Sequence, residues 1–129
     1  MTQDQLRLAL IAHDGKKATM LDFVRHHREE LERVRLVGTA TTARLIREET
    51  GLPIEGVLSG PLGGDVQIAA MVATGEIDGV IFLVDPLNAH PHDPDIQAVL
   101  RVCNVHNVPL ATNVATAALL ISRQSLRNA

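Results

Sequence analysis

Leu6-Arg7-Leu8-Ala9-Leu10-Ile11-Ala12 is an almost uninterrupted apolar run, and the polar turn His13-Asp14-Gly15-Lys16 follows it directly. Such a run is typical of a strand that is buried on both faces, as in a parallel sheet. Beyond the turn, apolar residues at roughly helical spacing predict a helix from about Lys17 to Glu32. The stretch therefore predicts a buried strand that leads through a short polar loop into a helix.

The same strand–helix unit repeats along the rest of the chain. Four more strands are predicted at about Leu36–Thr39, Ile54–Leu58, Gly79–Val84 and Pro109–Thr112. Four more helices are predicted at about Thr42–Thr50, Asp65–Thr74, Asp95–Asn107 and Val114–Arg123. Strict alternation with short connections indicates a single doubly wound α/β domain over residues 1–129, with a five-stranded parallel sheet and helices on both faces.

The composition suits one globular domain and argues against nucleic acid as a partner. The 129 residues are 46% hydrophobic, which is enough for a core. That core is aliphatic, because the chain has two Phe and no Trp or Tyr. Proteins that stack nucleobases carry aromatic side chains, and duplex-binding proteins show a basic face. Here the net charge is -3 and the basic residues are scattered, so we expect no nucleic-acid partner.

The single cysteine and the first residues bear on the compartment. Cys103 lies in an apolar helical pattern, which predicts a buried thiol rather than a reactive one. Met1-Thr2-Gln3-Asp4-Gln5 lacks the basic start and apolar run of a signal peptide, and no stretch is long enough to cross a bilayer. We therefore expect a cytoplasmic protein without a membrane partner.

Unusual polar residues concentrate at one edge of the predicted sheet. In open parallel sheets, ligands bind beyond the carboxyl ends of the strands. The opposite connections carry charges and turn residues but no comparable cluster. The loops at the carboxyl ends, where we expect the functional site, are His13–Lys17, Thr39–Thr42, Ser59–Asp65, Asp85–Asp95 and Thr112–Asn113.

Two of these loops have the character of anion-binding turns. Thr39–Thr42 and Ser59-Gly60 each precede a helix, where free N–H groups and the helix dipole favour an anion. Lys17 can supply a positive charge from a third loop. Each turn alone could merely cap a helix; the combination favours binding of a phosphorylated small molecule. Gly15-Lys16-Lys17 lacks the spacing of a P-loop and gives no case for a nucleotide triphosphatase.

Asp65 has two interpretations. It follows Gly63-Gly64 and opens a predicted helix, so it could be an N-cap. It could instead be a general base toward a carbon acid, provided that nearby donors stabilise the developing negative charge. His13, His92 and the loop amides are candidate donors.

The stretch His90-Pro91-His92-Asp93-Pro94-Asp95 requires that a metal site be considered. Zinc would need a closed set of N and S ligands, and Cys103 is predicted away from this edge. Mg²⁺ held by Asp14, Asp85 and a phosphate is conceivable. Asp95 could cap the following helix or orient a catalytic His92. The helical histidines, which we expect at the surface or in the core, are His26, His27 and His106.

Several stretches, taken together, resemble methylglyoxal synthases in order and spacing, from about Leu6 to Ser122. The loop from Leu58 to Asp65 is the most specific of them. The wider superfamily includes a regulatory domain of carbamoyl-phosphate synthetase and a cyclohydrolase domain, which share the fold and the anion pocket. The matching stretches are Ala12-His13-Asp14, Thr41-Thr42, Leu58-Ser59-Gly60-Pro61-Leu62-Gly63-Gly64-Asp65, Asp85-Pro86-Leu87-Asn88, Pro91-His92-Asp93-Pro94-Asp95 and Ala111-Thr112-Asn113-Val114-Ala115-Thr116.

The resemblance implies elimination of inorganic phosphate from dihydroxyacetone phosphate to give methylglyoxal, without a metal or an organic cofactor, in a homo-oligomer that is a hexamer in this family. It implies that Asp65 is the catalytic base and that His92 contacts the substrate oxygens. Asp14 and Asp95 match carboxylates that hydrogen-bond catalytic groups. The implied substrate and phosphate contacts are His13, Lys17, Thr39, Ala40, Thr41, Thr42, Ser59 and Gly60.

Two departures from the family pattern are visible. Ala40 replaces a glycine, with little expected effect because the backbone is what matters there. The stretch after the last helix carries Arg123 and Arg127 but lacks the tyrosines that the family has in that region, so no tail contact is carried over to this chain. From the residues alone, a non-catalytic phosphate-binding regulatory module and a metal-dependent phosphatase stay open as alternatives.

Overall fold

The computed structural model describes residues 5–87 and 96–122 and contains a sheet of five strands. All four strand pairings are parallel, and the spatial order is β3-β2-β1-β4-β5. The central positions go to the strands with the longest apolar runs, because only those strands can be buried on both faces. The strands are β1 (Arg7–Ala12), β2 (Arg35–Thr39), β3 (Glu55–Val57), β4 (Gly79–Leu83) and β5 (Leu110–Ala111).

Helices cover both faces of the sheet, which confirms the predicted doubly wound architecture. Alternate residues of β1 point to opposite faces: Leu8 and Leu10 pack with the first, third and last helices, while Ala9 and Ile11 pack with the fourth and fifth. The helices are α1 (Lys17–His26), α2 (Arg28–Leu31), α3 (Ala40–Thr50), α4 (Gly64–Ala73), α5 (Ile96–His106) and α6 (Val114–Leu120), with single 3₁₀ turns at Asp14–Lys16 and Gly60–Leu62.

The strand order creates a switch point beside β1. After β1, the chain adds β2 and β3 on one side and then crosses to add β4 and β5 on the other. The helices that follow β1 and β2 cover one face, and the helices that follow β3 and β4 cover the other. In sheets of this order, the crevice at the switch point is where ligands bind. The loop after β1 therefore lies between the loops after β2 and β4.

The predicted helix over 17–32 is wrong in one respect, since the structure divides it at His27. This residue has φ -113° and ψ 28°, and the short α2 follows it. The break places Leu31 in the core, where it is 1% exposed. The reason is tertiary packing, because no Gly or Pro marks the position.

Most of the predicted helix ends lie within two or three residues of the observed ones. Gly51 ends α3 as predicted, in the left-handed conformation with φ 76°. At its other end, α3 begins at Ala40 rather than at Thr42, and Thr39, whose backbone is extended, occupies the cap position. Cys103 is buried in the core, as predicted, and burial raises the pKa of its thiol. Within the described ranges, no helix has the length and apolar character needed to cross a bilayer.

Candidate active site

His13 follows β1 and lies at the switch point. Its side chain is buried, and the backbone N–H of Asp85 donates a hydrogen bond to its Nδ1 over 3.0 Å. A backbone N–H can only donate, so Nδ1 carries no proton and the ring is the neutral tautomer with its proton on Nε2. The edge-to-face contact with Phe82, at 5.4 Å between ring centroids, restrains the same ring. His13 can therefore present a neutral Nε2–H donor.

Asp85 joins the loops after β4 and β1. Its Oδ1 accepts a hydrogen bond from the N–H of Leu87 over 3.2 Å, which rigidifies the start of its own loop. Its Oδ2 lies so close to Gly15 that a β-carbon at that position would overlap it. From the sequence, Asp85 is only a possible magnesium ligand and part of a stretch that resembles the family. Its contact with His13 through the main chain was missed, and periodicity gives no signal for such a contact.

Lys17 lies at the first residue of α1 with its ammonium over the end of β1. Its Nζ donates to the carbonyl oxygen of Ala12 over 2.7 Å and lies 3.4 Å from Oδ1 of Asp14. The side chain is mostly buried, so these two partners restrain the ammonium. An ammonium has three donors, so Lys17 can hold both partners and still donate to an anion.

The loop after β2 builds the first of the two predicted anion-binding turns. Thr39 and Thr42 are 3% and 2% exposed, and their hydroxyl oxygens lie 3.5 Å apart. Thr41 between them is half-buried in the first turn of α3. The N–H groups of a first helical turn have no acceptor within the helix, and the dipole adds positive potential. The arrangement suits an anion such as a phosphate group.

The second predicted turn packs directly against the first. The N–H of Ala40 donates to the carbonyl oxygen of Leu58 over 3.4 Å, which joins the start of α3 to the end of β3. Ser59 then precedes the 3₁₀ turn, and its carbonyl oxygen accepts from the N–H of Gly64 over 2.9 Å. The structure therefore brings Thr39–Thr42 and Ser59-Gly60 together, as the sequence predicted for turns on one edge.

Gly64 lets this loop close. A β-carbon at Gly64 would overlap the carbonyl oxygen of Leu58 and would lie 3.0 Å from Cγ2 of Thr39. The absence of a side chain allows α4 to begin against the ends of β2 and β3. Gly63, just before it, has φ 100°, a conformation that a side chain disfavours.

Asp65 is the second residue of α4 and is 7% exposed. The interpretation of Asp65 as an N-cap is wrong, because Gly63 occupies the cap position and α4 begins at Gly64. Since Gly64 packs against Leu58 and Thr39, α4 begins beside the residues that lead into the two predicted anion-binding turns, and Asp65 is its second residue. A carboxylate in the first turn of a helix interacts favourably with the helix dipole. A buried carboxylate at this edge of the sheet is a candidate general base.

Part of the predicted site lies outside the described residues. This applies to His92 and Asp95, to the rest of the stretch 88–95, and to Arg123 and Arg127. On the last loop of this edge, Asn113 caps α6, since its Oδ1 accepts from the N–H of Thr116 over 2.9 Å. Within residues 5–87 and 96–122, no group of three or more His, Cys, Asp or Glu side chains is placed to hold a metal ion.

A shallow groove of about 420 Å³ lies at the opposite, amino-terminal edge of the sheet, beside residues 32–36 and 53–55. Its carboxylates already have partners: Glu55 lies 2.6 Å from Arg7, and Glu32 lies 3.0 Å from Arg28. These ion pairs account for both carboxylates of that groove as part of the fold. The chemistry of the molecule is concentrated at the carboxyl-terminal edge.

Fold and site together define a class: a doubly wound α/β domain with two adjoining turns of the kind predicted to bind an anion, a lysine, a buried histidine and a buried carboxylate at one sheet edge. Comparison with known sequences identifies the family. The chain belongs to the MGS-like domain family, whose sequence model matches residues 19–112.

Curated relatives and a solved structure agree with this assignment. Methylglyoxal synthase from Thermus thermophilus is 58% identical over 115 residues, which is 89% of this chain and 91% of that protein. The enzyme of the same name from Carboxydothermus hydrogenoformans is 59% identical over 116 residues, covering 90% of this chain and 96% of the relative. The crystal structure of methylglyoxal synthase from Elizabethkingia anophelis superposes with a TM-score of 0.91 at 42% identity, over 95% of this chain and 82% of that one.

Proposed function

We propose that this chain converts dihydroxyacetone phosphate to methylglyoxal and inorganic phosphate, the activity for which its relatives are named. One observation of the structure supports the proposal: Asp65 is buried at the second position of α4, where Gly63 holds the cap position and where Gly64 packs against Leu58 and Thr39, the residues that lead into the two predicted anion-binding turns. A regulatory module needs only the turns. A carbon-acid elimination also needs a base next to the bound phosphate ester.

Substrate binding begins with the phosphate group. The first-turn amides of α3 and the Ser59-Gly60 turn would donate to the phosphate oxygens, and Lys17 would neutralise part of the charge. Asp14 restrains that ammonium from 3.4 Å, a positioning role for the carboxylate. The phosphate would thus anchor the substrate and bring the hydroxymethyl carbon to the catalytic groups.

Asp65 then takes a proton from the hydroxymethyl carbon, whose acidity comes from the adjacent carbonyl group. The electron pair of the broken C–H bond forms an enediolate, with negative charge on the former carbonyl oxygen. The Nε2–H of His13 is a donor for this charge, and its tautomer is set before the substrate arrives. His92 is proposed as a second donor and Asp95 as its partner, from the resemblance.

Elimination completes the reaction. The proton of the terminal hydroxyl group first moves to the former carbonyl oxygen, which leaves the negative charge on the terminal oxygen. That oxygen then forms the aldehyde C=O bond, the electrons of the enediolate double bond form a new C=C bond to the phosphate-bearing carbon, and phosphate leaves with the electron pair of its C–O bond. The product is the enol of methylglyoxal, which takes up a proton at its terminal CH2 carbon and gives up its hydroxyl proton to become the methyl ketone. The bond must lie along the π system for this step, and fixed donors around the phosphate can hold it in that orientation.

The decisive experiment is to incubate the pure protein with dihydroxyacetone phosphate, with and without EDTA, and to assay methylglyoxal and phosphate together. We expect both products in equal amounts and no effect of EDTA. Phosphate without methylglyoxal would indicate a phosphatase, and its loss with EDTA would indicate a metal-dependent one. Saturable phosphate binding without any product would indicate a regulatory module.

The assembly proposed from the resemblance is a homohexamer. A small sheet domain can bury helix faces against copies of itself, and exposed apolar side chains such as Leu62 and Val66 on this chain are available for such contacts. Light scattering at micromolar concentration measures the mass directly. A monomeric mass would refute the proposal.

A further inference from the structure

The peptide groups of Leu58 connect the parts of the proposed phosphate site. The carbonyl oxygen of Leu58 accepts from the N–H of Ala40 over 3.4 Å and packs against Gly64. Its N–H donates to Oε1 of Gln67 over 2.7 Å. One residue thus links the start of α3, the glycine at the start of α4 and a side chain one turn further along α4. Because Ser59 follows Leu58 directly in the chain, these contacts of Leu58 also restrain the position of Ser59.

The N–H of Leu58 lies one residue beyond the last residue pair between β2 and β3. β3 has three residues and is one of the two edge strands of the described sheet, and its register with β2 ends at the Thr39–Val57 pair. Past that pair, the ladder provides no fixed acceptor. The side chain of Gln67 reaches back across nine residues to supply one.

We propose that Gln67 is a positioning residue for the phosphate site. It acts through the main chain: by accepting from the N–H of Leu58, its side chain holds the Ser59-Gly60 turn against the first turn of α3. The inference rests on the proposed function, because it assigns the turn the task of binding the substrate phosphate. Gln67 itself lies on the exposed side of α4 and is not proposed to touch the substrate.

The chemistry of the contact dictates which substitutions keep it. A backbone N–H requires an acceptor, so the amide oxygen of Gln67 is the functional atom. Gln67→Glu retains an oxygen at the same reach, whereas Gln67→Met keeps the length and the helix propensity but offers only a weak acceptor. A new negative charge could also repel phosphate, but that repulsion is screened by salt, whereas a lost acceptor is not restored by salt.

The experiment compares four proteins: wild type, Gln67→Met, Gln67→Glu and the matched control Gln5→Met. Gln5 also makes one hydrogen bond from its side chain to the main chain, to Arg33 over 3.1 Å, at the opposite edge of the molecule. Calorimetry measures the Kd of inorganic phosphate at low and high salt, steady-state kinetics with dihydroxyacetone phosphate measure kcat and KM, and urea unfolding measures stability.

We expect Gln67→Met to raise the phosphate Kd and the KM about tenfold, the scale of one hydrogen bond, with kcat changed by about threefold or less. Gln67→Glu should come within about threefold of wild type at high salt. Gln5→Met should keep wild-type affinity while losing about as much stability as Gln67→Met, which separates positioning from a purely structural role.

The outcomes distinguish this inference from the proposed function. The inference would be overturned if Gln67→Met bound phosphate with wild-type affinity. It would also be overturned if Gln67→Met and Gln67→Glu lost phosphate affinity equally at high salt. Methylglyoxal formation by the wild type would still uphold the proposed function in both cases. If the wild type binds phosphate but forms no methylglyoxal, the function falls and the phosphate Kd values still decide the role of Gln67. If the wild type binds no phosphate, both fall.

Discussion

Replacing Asp65 by Asn tests the proposed base directly. The two side chains have nearly the same shape, and Gly63 rather than Asp65 occupies the cap position of α4, so no cap is lost. The variant does give up the interaction between a carboxylate and the helix dipole, which is worth about 1 kcal/mol or less. For a domain of this size that is a change in Tm of about 4 °C or less.

The effect on catalysis should be far larger than the effect on stability. The amide of Asn cannot accept the proton from carbon, and loss of a general base typically costs about 10² to 10⁴ in turnover. Phosphate binding should survive, because the proposed phosphate contacts are made by Thr39–Thr42, Ser59-Gly60 and Lys17 and not by the side chain of Asp65. We therefore expect a folded variant that binds phosphate normally and turns over hundreds of times more slowly at the least.

The assay follows two events in one sample: exchange of substrate hydrogen with deuterated solvent, and formation of methylglyoxal. Loss of both events in the variant is the expected result. Asp78→Asn serves as the control, because its carboxylate accepts the N–H of Arg7 over 2.9 Å at the opposite edge. An Asp65→Asn variant with nearly wild-type turnover would refute the base assignment, and retained exchange without product would instead assign Asp65 to the elimination step.

Three further predictions use other parts of the molecule. Inorganic phosphate should inhibit competitively at millimolar concentration; an unchanged initial rate would remove the proposed phosphate pocket. Phe82→Leu should lower kcat more than Phe23→Leu at a similar cost in stability, because only Phe82 contacts His13, while ¹⁵N shifts of the His13 ring should report the same single tautomer in both variants, since the Asp85 main-chain donor is kept. Cys103 should react with a thiol reagent far more slowly in native than in unfolded protein. Burial raises the pKa of the Cys103 thiol in the folded state, so the unfolded protein loses this proton at a lower pH. The contribution of Cys103 to folding stability is therefore present below the ordinary thiol pKa and is lost as the pH rises above that pKa. Fast native labelling, or equal Tm loss with alkaline pH in Cys103→Ala, would contradict this.

The alternation of strands and helices could be predicted from the sequence because each element follows from the spacing of apolar residues within a short stretch of chain. β1, for example, is an almost uninterrupted apolar run, and Gly51 marks the end of α3. From that alternation the common edge of the polar loops follows by topology alone. The sequence alone therefore predicts that Thr39–Thr42 and Ser59-Gly60 lie at the same edge of the sheet.

Contacts between residues that are far apart in the sequence could not be predicted in this way. The break at His27 has no Gly or Pro to announce it and is set by packing of Leu31. Asp65 looked like a cap because the sequence does not reveal that Gly63 adopts φ 100° and takes that place. The hydrogen bond between Asp85 and His13 spans 72 positions, and no local pattern encodes it.

The donor to Nδ1 of His13 is a main-chain amide, and this has a consequence for the tolerance of the site to mutation. Where a side chain fixes a catalytic tautomer, any substitution that removes its polar atom can disable the enzyme. Here every residue except proline would bring the same N–H group to position 85, provided that the loop keeps its path. Most single substitutions at position 85 would therefore leave the proton of the histidine on the same ring nitrogen. The sequence of that loop can change without changing the tautomer.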